Sequence, residues 1–298
     1  MRSADRTGRA SLCCHGVSTS ELEGAIAAVV RAALAEDVGA GDATTQATVP
    51  ATLRGSALIV QREPGVIFGL AAAEAVFAEL SEEVRCERQV SEGSWQEEGA
   101  TVLALEGPVR ALLTGERTAL NLLGHLSGVA TAAARAMRAV AGTRALIVDT
   151  RKTTPGLRVL EKAAVRAGGA GNHRRGLDDA VLIKDNHIAA AGSITNAIAL
   201  VRERRPDLAA TLEVEVSSAA ELEEALACKA PRILLDNMSD AEVRAAVLRT
   251  EGRALLEASG GVTYERLRSL AETGVDWISM GYLTHSAPSL DLSMKLAG

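Results

Sequence analysis

The sequence predicts an α/β fold: an incomplete parallel α/β barrel preceded by a smaller N-terminal α+β sandwich domain. In the second half, short runs of leucine and β-branched residues alternate with helical segments. This rhythm is typical of βαβ units and a parallel sheet. Most of these runs end in charged residues or glycine. In parallel α/β folds, functional sites lie at the carboxyl ends of the strands, where such residues are found.

The apolar runs give the predicted positions of the strands and helices in the second half. We predict strands near 145–149, 180–184, 212–216, 233–236, 254–258 and 277–280. Helices are predicted at 218–227, 240–248 and 264–272, after a longer helix over 112–140. This many short units favour a closed or nearly closed barrel over an open sheet.

The first half lacks this rhythm and predicts a separate domain. A capping-box pattern at Ser20–Glu23 predicts the start of a helix, and residues 70–80 predict another. Short strands are predicted near 55–60, 84–90, 93–95 and 101–105, and the tail over 290–296 is predicted to be a short amphipathic helix that returns to this domain. The predicted domains are a disordered extension over 1–19, the sandwich over 20–111 with 287–298, and the catalytic barrel over 112–286.

Composition excludes several classes of function. The net charge of -6 and the isoelectric point near 5.5 argue against a nucleic-acid-binding protein. No apolar run is long enough to span a bilayer. The cysteines, Cys13, Cys14, Cys86 and Cys228, lack the paired spacing of a metal site, which favours a reduced, cytoplasmic protein.

The stretch over 145–187 concentrates cations after two predicted strands. Arg151 and Lys152 follow the first strand, His173 and Arg174 lie in the next loop, and Lys184 ends the second strand. Cations gathered at one edge of a sheet repel each other unless an anion lies among them. A solvated basic loop is the alternative, but it does not explain why the cations directly follow buried strands. This edge is predicted to bind a polyanionic small molecule.

Acidic residues and glycines end the other predicted strands. Glu213 and Glu215 alternate along one strand and therefore share a face, and Asp236 ends the next strand. The turn over 259–261, with Gly281 at the following strand end, has the free backbone N–H groups that bind phosphate, although a Gly-Gly turn can also be free of ligand. Together these features predict a polycarboxylate, a phosphorylated co-substrate and a divalent metal between acids and phosphates.

Five motifs carry a resemblance to a known family. They are Glu116-Arg117 with Ala119-Leu120-Asn121, the run Asp-Thr-Arg-Lys-Thr-Thr-Pro-Gly over 149–156, Asn172-His173-Arg174, the run Leu-Ile-Lys-Asp-Asn-His over 182–187, and Leu235-Asp236-Asn237. With these motifs the chain resembles quinolinate phosphoribosyltransferases from about Glu36 to Leu296. The resemblance implies that quinolinate and phosphoribosyl diphosphate give nicotinate mononucleotide, CO2 and diphosphate in NAD biosynthesis. It also implies Mg2+ and a homodimer or an assembly of dimers.

The resemblance further implies roles for individual residues. Arg151, His173, Arg174 and Lys184 would hold the carboxylates of quinolinate, with Arg117 supplied by the neighbouring subunit. The candidate catalytic residues are Lys152 on the phosphoribosyl diphosphate, and Glu215 and Asp236 facing the ribose and Mg2+; Glu213 stays open as an alternative to Glu215. The other candidate substrate-binding residues are Thr150, Ser259, Gly260, Gly261, Ser279 and Gly281, and Ser259 with the three glycines would cradle phosphate.

Two other functions remain open from the residues. A Schiff-base aldolase would use Lys184 at its strand end, yet the additional arginines exceed what a mono-anionic carbonyl substrate needs. A non-catalytic phosphosugar-binding or molybdenum-associated protein of the same fold is the other alternative.

Overall fold

The computed structural model describes residues 17–297, which form two compact units. One unit comprises 17–134, 153–169 and 282–297, and the other comprises 135–152 and 170–281. The predicted extension lies mostly outside the described residues, and its last residue, Thr19, already begins a helix. Among residues 17–297, no helix combines the length and the apolar character that crossing a membrane requires.

The helices and strands alternate along much of the chain. The helices are α1 (Thr19–Val38), α2 (Ala43–Thr48), α3 (Leu70–Leu80), α4 (Val109–Ala139), α5 (Arg158–Ala167), α6 (Asp185–Ala191), α7 (Ile194–Arg204), α8 (Ala219–Ala227), α9 (Asp240–Thr250), α10 (Tyr264–Ala271) and α11 (Tyr282–His285), with a 3-10 helix at Pro206–Thr211. The strands are β1 (Arg54–Gln61), β2 (Gly65–Ile67), β3 (Arg85–Arg88), β4 (Ser94–Gln96), β5 (Thr101–Pro108), β6 (Leu146–Val148), β7 (Leu182–Ile183), β8 (Glu213–Val216), β9 (Arg232–Asp236), β10 (Leu255–Ser259), β11 (Trp277–Ser279) and β12 (Leu292–Ala297).

The first unit is built on an antiparallel sheet. Its four strands lie in the order β12-β1-β5-β3, and β2 pairs with β4 separately. Ala57 and Ile59 of β1 are buried while Leu58 between them is exposed, so only one face of the sheet packs on a core. The predicted start of α1 was wrong by two residues, because the Ser18 hydroxyl, not that of Ser20, accepts the hydrogen bond from Glu21 N–H.

The C-terminal tail corrects one prediction. Residues 292–297 form β12, antiparallel to residues 56–61 of β1, and not an amphipathic helix. In this tail the apolar residues Leu292, Met294 and Leu296 alternate with polar ones, and this period of two is that of a strand. The tail does belong to the first unit. The predicted domain boundary at 111/112 falls inside α4, whereas the compact units divide this helix at 134/135.

The second unit confirms the incomplete parallel barrel. Its six strands are all parallel and lie in the order β6-β11-β10-β9-β8-β7, a circle that is cut between β7 and β6. At the free edge of β6, Val148 makes a single parallel bridge with Gly171.

The register of this sheet separates two kinds of residue, because partners on neighbouring strands share a face. One face is apolar and buried, with Ile147, Val214, Val216, Ile233, Leu235, Leu256, Ala258 and Ile278. The opposite face carries all the polar residues, together with Trp277 and a few aliphatic side chains: Glu213, Glu215, Arg232, Asp236, Glu257, Ser259, Ser279, Trp277, Leu146, Val148, Leu234 and Leu255. Polar groups on a largely buried face are costly unless they are paired, so this second face is where a site is to be sought.

A close approach within the first unit generates a stability prediction. A Cβ atom on Gly128 of α4 would lie 2.0 Å from the carbonyl oxygen of Pro288, so that backbone must move. We expect Gly128→Ala to destabilise the protein by about 3 kcal/mol, at the upper end of the range for overpacking. Gly24→Ala is the matched control, since nothing lies within 4 Å of its Cβ on exposed α1. The Gly24→Ala substitution should stabilise the protein by about 0.5–1 kcal/mol. Urea unfolding measures the free energy of unfolding of both variants, and equal changes would contradict the close approach.

Candidate active site

The carboxyl ends of the parallel strands bring most of the predicted site residues to one edge. Asp236 and Ser259 end β9 and β10 and are direct partners in the register, and Ser279 ends β11 opposite Val148. The other predicted residues at this edge follow the strands directly; they are Thr150, Arg151 and Lys152 after β6, Lys184 after β7 and Gly281 after β11. Parallel strands place all their carboxyl ends on the same side, which is why residues far apart in sequence meet here.

An ion pair joins two predicted residues of opposite role at this edge. Lys184 Nζ lies 3.0 Å from Glu215 Oε2, with side-chain exposures of 47% and 16%. Lys184 was predicted to bind a carboxylate, and Glu215 to face the ribose and metal. Solvent can reach both side chains. An anionic ligand can therefore take the place of Glu215 beside Lys184, and a cation can take the place of Lys184 beside Glu215.

A buried aspartate fixes the segment that carries His173 and Arg174. Asp149 is fully buried, and its Oδ1 accepts a hydrogen bond from His173 N–H at 2.8 Å. Its Oδ2 accepts a second bond from Asn172 Nδ2 at 2.6 Å. Arg174 is 8% exposed and donates to the carbonyl oxygen of Ala180 at 3.3 Å. Because Asp149 directly precedes the segment 150–152, one residue holds both cation-bearing segments.

The turns after β9 and β10 have the backbone shape of an anion cradle. Asn237 and Gly260 adopt φ angles of 55° and 89°, and Asn237 N–H donates to the Ser259 carbonyl at 2.9 Å. A Cβ on Gly260 would lie 2.3 Å from Asn237 Oδ1, so this position requires glycine. Gly261 follows with a φ of 57° and nothing within 4 Å of its Cβ position, which leaves its surroundings open. Phosphate binding by this turn stays a prediction.

The models of two domains of one protein family together match most of the chain. The model described as "Quinolinate phosphoribosyl transferase, N-terminal domain" matches residues 42–127, and the C-terminal domain of the same name matches residues 129–295. The chain belongs to the quinolinate phosphoribosyltransferase family. Its family resemblance, predicted from five motifs, is therefore confirmed.

Individual relatives agree with this assignment. The chain is 46% identical over 273 residues to the nicotinate-nucleotide pyrophosphorylase [carboxylating] of Mycobacterium leprae, covering 90% of this chain and 95% of that protein. It is 47% identical over 266 residues to a probable nicotinate-nucleotide pyrophosphorylase [carboxylating] of Synechocystis, with 88% and 90% covered. Among solved structures, the nicotinate-nucleotide pyrophosphorylase of Francisella tularensis superposes with a TM-score of 0.89 at 36% identity, covering 92% of this chain and 97% of that one.

In this protein, two glutamates and a histidine are buried together among the parallel strands. His173 Nε2 lies 2.9 Å from Glu213 Oε2 and 3.4 Å from Glu257 Oε2, and both glutamates are 1% exposed. We call His173, Glu213 and Glu257 the buried cluster. Next to it, the Arg232 guanidinium lies 4.9 Å from the centre of the Trp277 ring. Glu257 and Arg232 had no predicted role, although a single acid in an otherwise apolar strand such as 254–258 is a signal that could have identified Glu257.

One carboxyl group of the buried cluster resists ionisation. Burial raises the pKa of Glu257 to about 8, together with the negative charge of Glu213. Two carboxyl groups in one buried site cannot both ionise without a cation between them.

These contacts change the interpretation of His173 and Glu213. The ring of His173 is directed at the two glutamates, and its Nδ1 accepts a hydrogen bond from Arg174 N–H at 2.8 Å. Both ring nitrogens contact protein groups here, and binding of a substrate carboxylate by His173 stays a prediction. Glu213 is the first residue of β8 and is buried, whereas Glu215 lies at the carboxyl edge. The geometry therefore favours Glu215 over Glu213 as the acid that faces substrate.

The donors present are suited to magnesium at the carboxyl edge and not in the buried cluster. His173, Glu213 and Glu257 have one donor atom each within 4.8 Å of one another. However, a histidine whose Nδ1 accepts a hydrogen bond carries its proton on Nε2 and cannot also ligate a metal there. Glu215 and Asp236 fit Mg2+, which is commonly held by one or two carboxylates, substrate phosphates and water.

Arg117 lies in the first unit. It is exposed on α4 and lines an open cavity of about 330 Å3 together with Leu120, Asn121, Gly124 and residues 289–292. Within residues 17–297, its guanidinium has neither a hydrogen bond nor an ion pair. The side chain is available to a ligand or a second chain.

Proposed function

We propose that this protein transfers the phosphoribosyl group of phosphoribosyl diphosphate to quinolinate with loss of CO2. The products are nicotinate mononucleotide and diphosphate, a step of NAD biosynthesis, and we place it in the cytoplasm. Membership of the family supports this proposal, as do relatives named nicotinate-nucleotide pyrophosphorylase [carboxylating]. The observation that carries it is the carboxyl edge, which combines Arg151, Lys152 and Lys184 with Glu215 and Asp236.

Quinolinate has two adjacent carboxylates, and the cations of this edge match that charge. Arg151, Arg174 and Lys184 would bind them, because guanidinium and ammonium groups form strong charge-assisted hydrogen bonds with carboxylates. The segments that carry Arg151 and Arg174 are both tied to Asp149, which limits the movement of their backbones relative to each other. Fixed spacing lowers the entropic cost of binding a dianion.

The reaction separates charge at the ribose. As diphosphate leaves C1, that carbon becomes oxocarbenium-like, and Glu215 and Asp236 would stabilise it electrostatically. Glu215 and Asp236 would also hold Mg2+, which when bound supplies positive charge to the departing diphosphate. Lys152, exposed at the same edge, would bind the phosphoribosyl diphosphate, and the turn over 259–261 with Gly281 would hold phosphate. The quinolinate nitrogen then bonds to C1, and the resulting pyridinium accepts the electron pair when the 2-carboxylate leaves as CO2.

The first prediction concerns substrate choice. Nicotinate lacks one carboxylate, which leaves cations of the site without a partner. Two lost charge-assisted hydrogen bonds should cost about 3–6 kcal/mol, so kcat/KM for nicotinate should be lower by at least about 100-fold. The measurement is formation of nicotinate mononucleotide from each acid with phosphoribosyl diphosphate and Mg2+. Comparable rates would contradict the proposal, and borohydride trapping on Lys184 would favour the Schiff-base alternative.

The second prediction concerns the ion pair of Lys184 and Glu215. Glu215→Gln should lower turnover by about 100-fold, as does loss of other electrostatic stabilisers. Quinolinate should bind at least as tightly as before, because Lys184 is released from its partner. Asp207→Asn is the matched control, since it removes a surface ion pair of similar length, 2.8 Å, and should leave both constants unchanged. Weaker quinolinate binding with normal turnover would show that Glu215 only supports the cations.

The third prediction concerns the homodimer. We propose that Arg117 completes the quinolinate site of a neighbouring subunit; its exposure and its lack of a partner in residues 17–297 support this. Arg117→Ala and Lys184→Ala should each be inactive. When the two variants are mixed and reassorted, half of the dimers are hybrids with one intact site, so about a quarter of the wild-type activity should return. Hybrid dimers that form by native mass spectrometry but remain inactive would contradict a shared site.

A further inference from the structure

The buried cluster is not explained by the proposed chemistry, since Glu213 and Glu257 lie away from the carboxyl edge and contact His173 instead. Two carboxyl groups in one buried site repel each other unless a proton or a cation lies between them. Glu213 Oε1 and Glu257 Oε2 are both buried and have no hydrogen-bond donor among residues 17–297. A single proton shared by the two carboxyl groups would satisfy both.

The contacts of His173 determine where its own proton lies. Because Nδ1 accepts from Arg174 N–H, the ring is neutral and carries its hydrogen on Nε2, from which it donates to Glu213. The ring is thus held at one end by an anion and at the other end by the backbone of Arg174. The same backbone is fixed on its other side, where Asp149 accepts from His173 N–H.

We propose that Glu213 and Glu257 are a pair of positioning residues for Arg174, which rests on the proposed function in that Arg174 there binds quinolinate: Glu213 accepts the hydrogen bond from His173 Nε2–H, and Glu257 donates a hydrogen bond to Glu213. Through the ring, this pair fixes the backbone that presents Arg174. The raised pKa of Glu257, caused by burial and by the charge of Glu213, agrees with its neutral form. Arg232, the register partner of Glu213 on β9, lies beside the group as a counter-charge.

The two glutamates allow a matched test, because the same substitution should have different effects at each. In Glu257→Gln, an amide N–H replaces the carboxyl O–H as the donor to Glu213, so the arrangement should persist. In Glu213→Gln, the anion that faces His173 and Arg232 is lost, and the His173 ring should change its tautomer or turn. A role in packing alone would give equal effects, since both residues are equally buried.

Equilibrium titration with quinolinate alone gives the first readout. We expect the Kd of Glu257→Gln to stay within about threefold of the wild type, and that of Glu213→Gln to rise by at least about tenfold. The Kd for phosphoribosyl diphosphate should stay within about twofold in both variants. Equal changes in the two variants, or unchanged quinolinate binding in Glu213→Gln, would overturn the proposal.

The tautomer of His173 gives a second readout that does not depend on the proposed function. In protein labelled with 15N-histidine, the His173 ring can be assigned through its proximity to Trp277, whose ring centre lies 6.4 Å away in an edge-on arrangement. At neutral pH we expect the Nε2–H tautomer in the wild type and in Glu257→Gln. A charged ring or an Nδ1–H tautomer in either would overturn the assignment, even if Glu213→Gln did not fold. If the wild type shows the expected tautomer but does not convert quinolinate, the proposed function fails and the internal arrangement stands.

Discussion

A carboxylate within a sheet that is covered on both faces has no water to stabilise its charge, so the fold must supply the counter-charge. Arg232, the register partner of Glu213 on β9, supplies this charge, and His173 supplies a hydrogen bond. The members of the group lie on different strands, with Glu257 on β10 and Trp277 on β11. The group can therefore form only when these strands pair in one register. A slip of one residue would turn Glu213 onto the apolar face, where no counter-charge lies, so the buried charge also specifies the sheet.

The same register explains why the polar face serves two purposes. Glu213 and Glu257 of the buried cluster are each 1% exposed, so a ligand cannot take the place of their partners. In the proposal they position other residues and do not bind ligand. At the carboxyl edge, the Lys184–Glu215 pair is reachable by solvent and can be exchanged for ligands. A Schiff-base lysine needs an apolar pocket or neighbouring cations, whereas Lys184 is partly exposed and paired with a carboxylate, which weakens the aldolase interpretation.

The sequence was informative where the pattern is local. All six parallel strands were predicted to within about two residues, because strands buried on both faces are short apolar runs bounded by turn residues. The tail over 292–297 was assigned to the wrong element, since six residues with alternating apolar positions satisfy a short helix nearly as well as a strand. The buried cluster could not be predicted, because His173, Glu213 and Glu257 meet only through the sheet register. The carboxyl edge was predictable, because every parallel strand delivers its last residues to the same side.

Asp149 is a buried residue that connects the two segments carrying Arg151 and Arg174. It ends the run of β6, and the cation-bearing residues 150–152 follow it covalently, while its carboxylate binds the backbone of His173 and the side chain of Asn172. The backbone that carries Arg151 is therefore joined to Asp149 covalently, and the segment that carries Arg174 is joined to it by hydrogen bonds. In the proposed function, two cations on connected segments would bind two carboxylates at a smaller entropic cost than cations on independent loops. Asp149 is itself fully buried, so its part in the proposed binding of a dianion is to hold the segments that carry the cations.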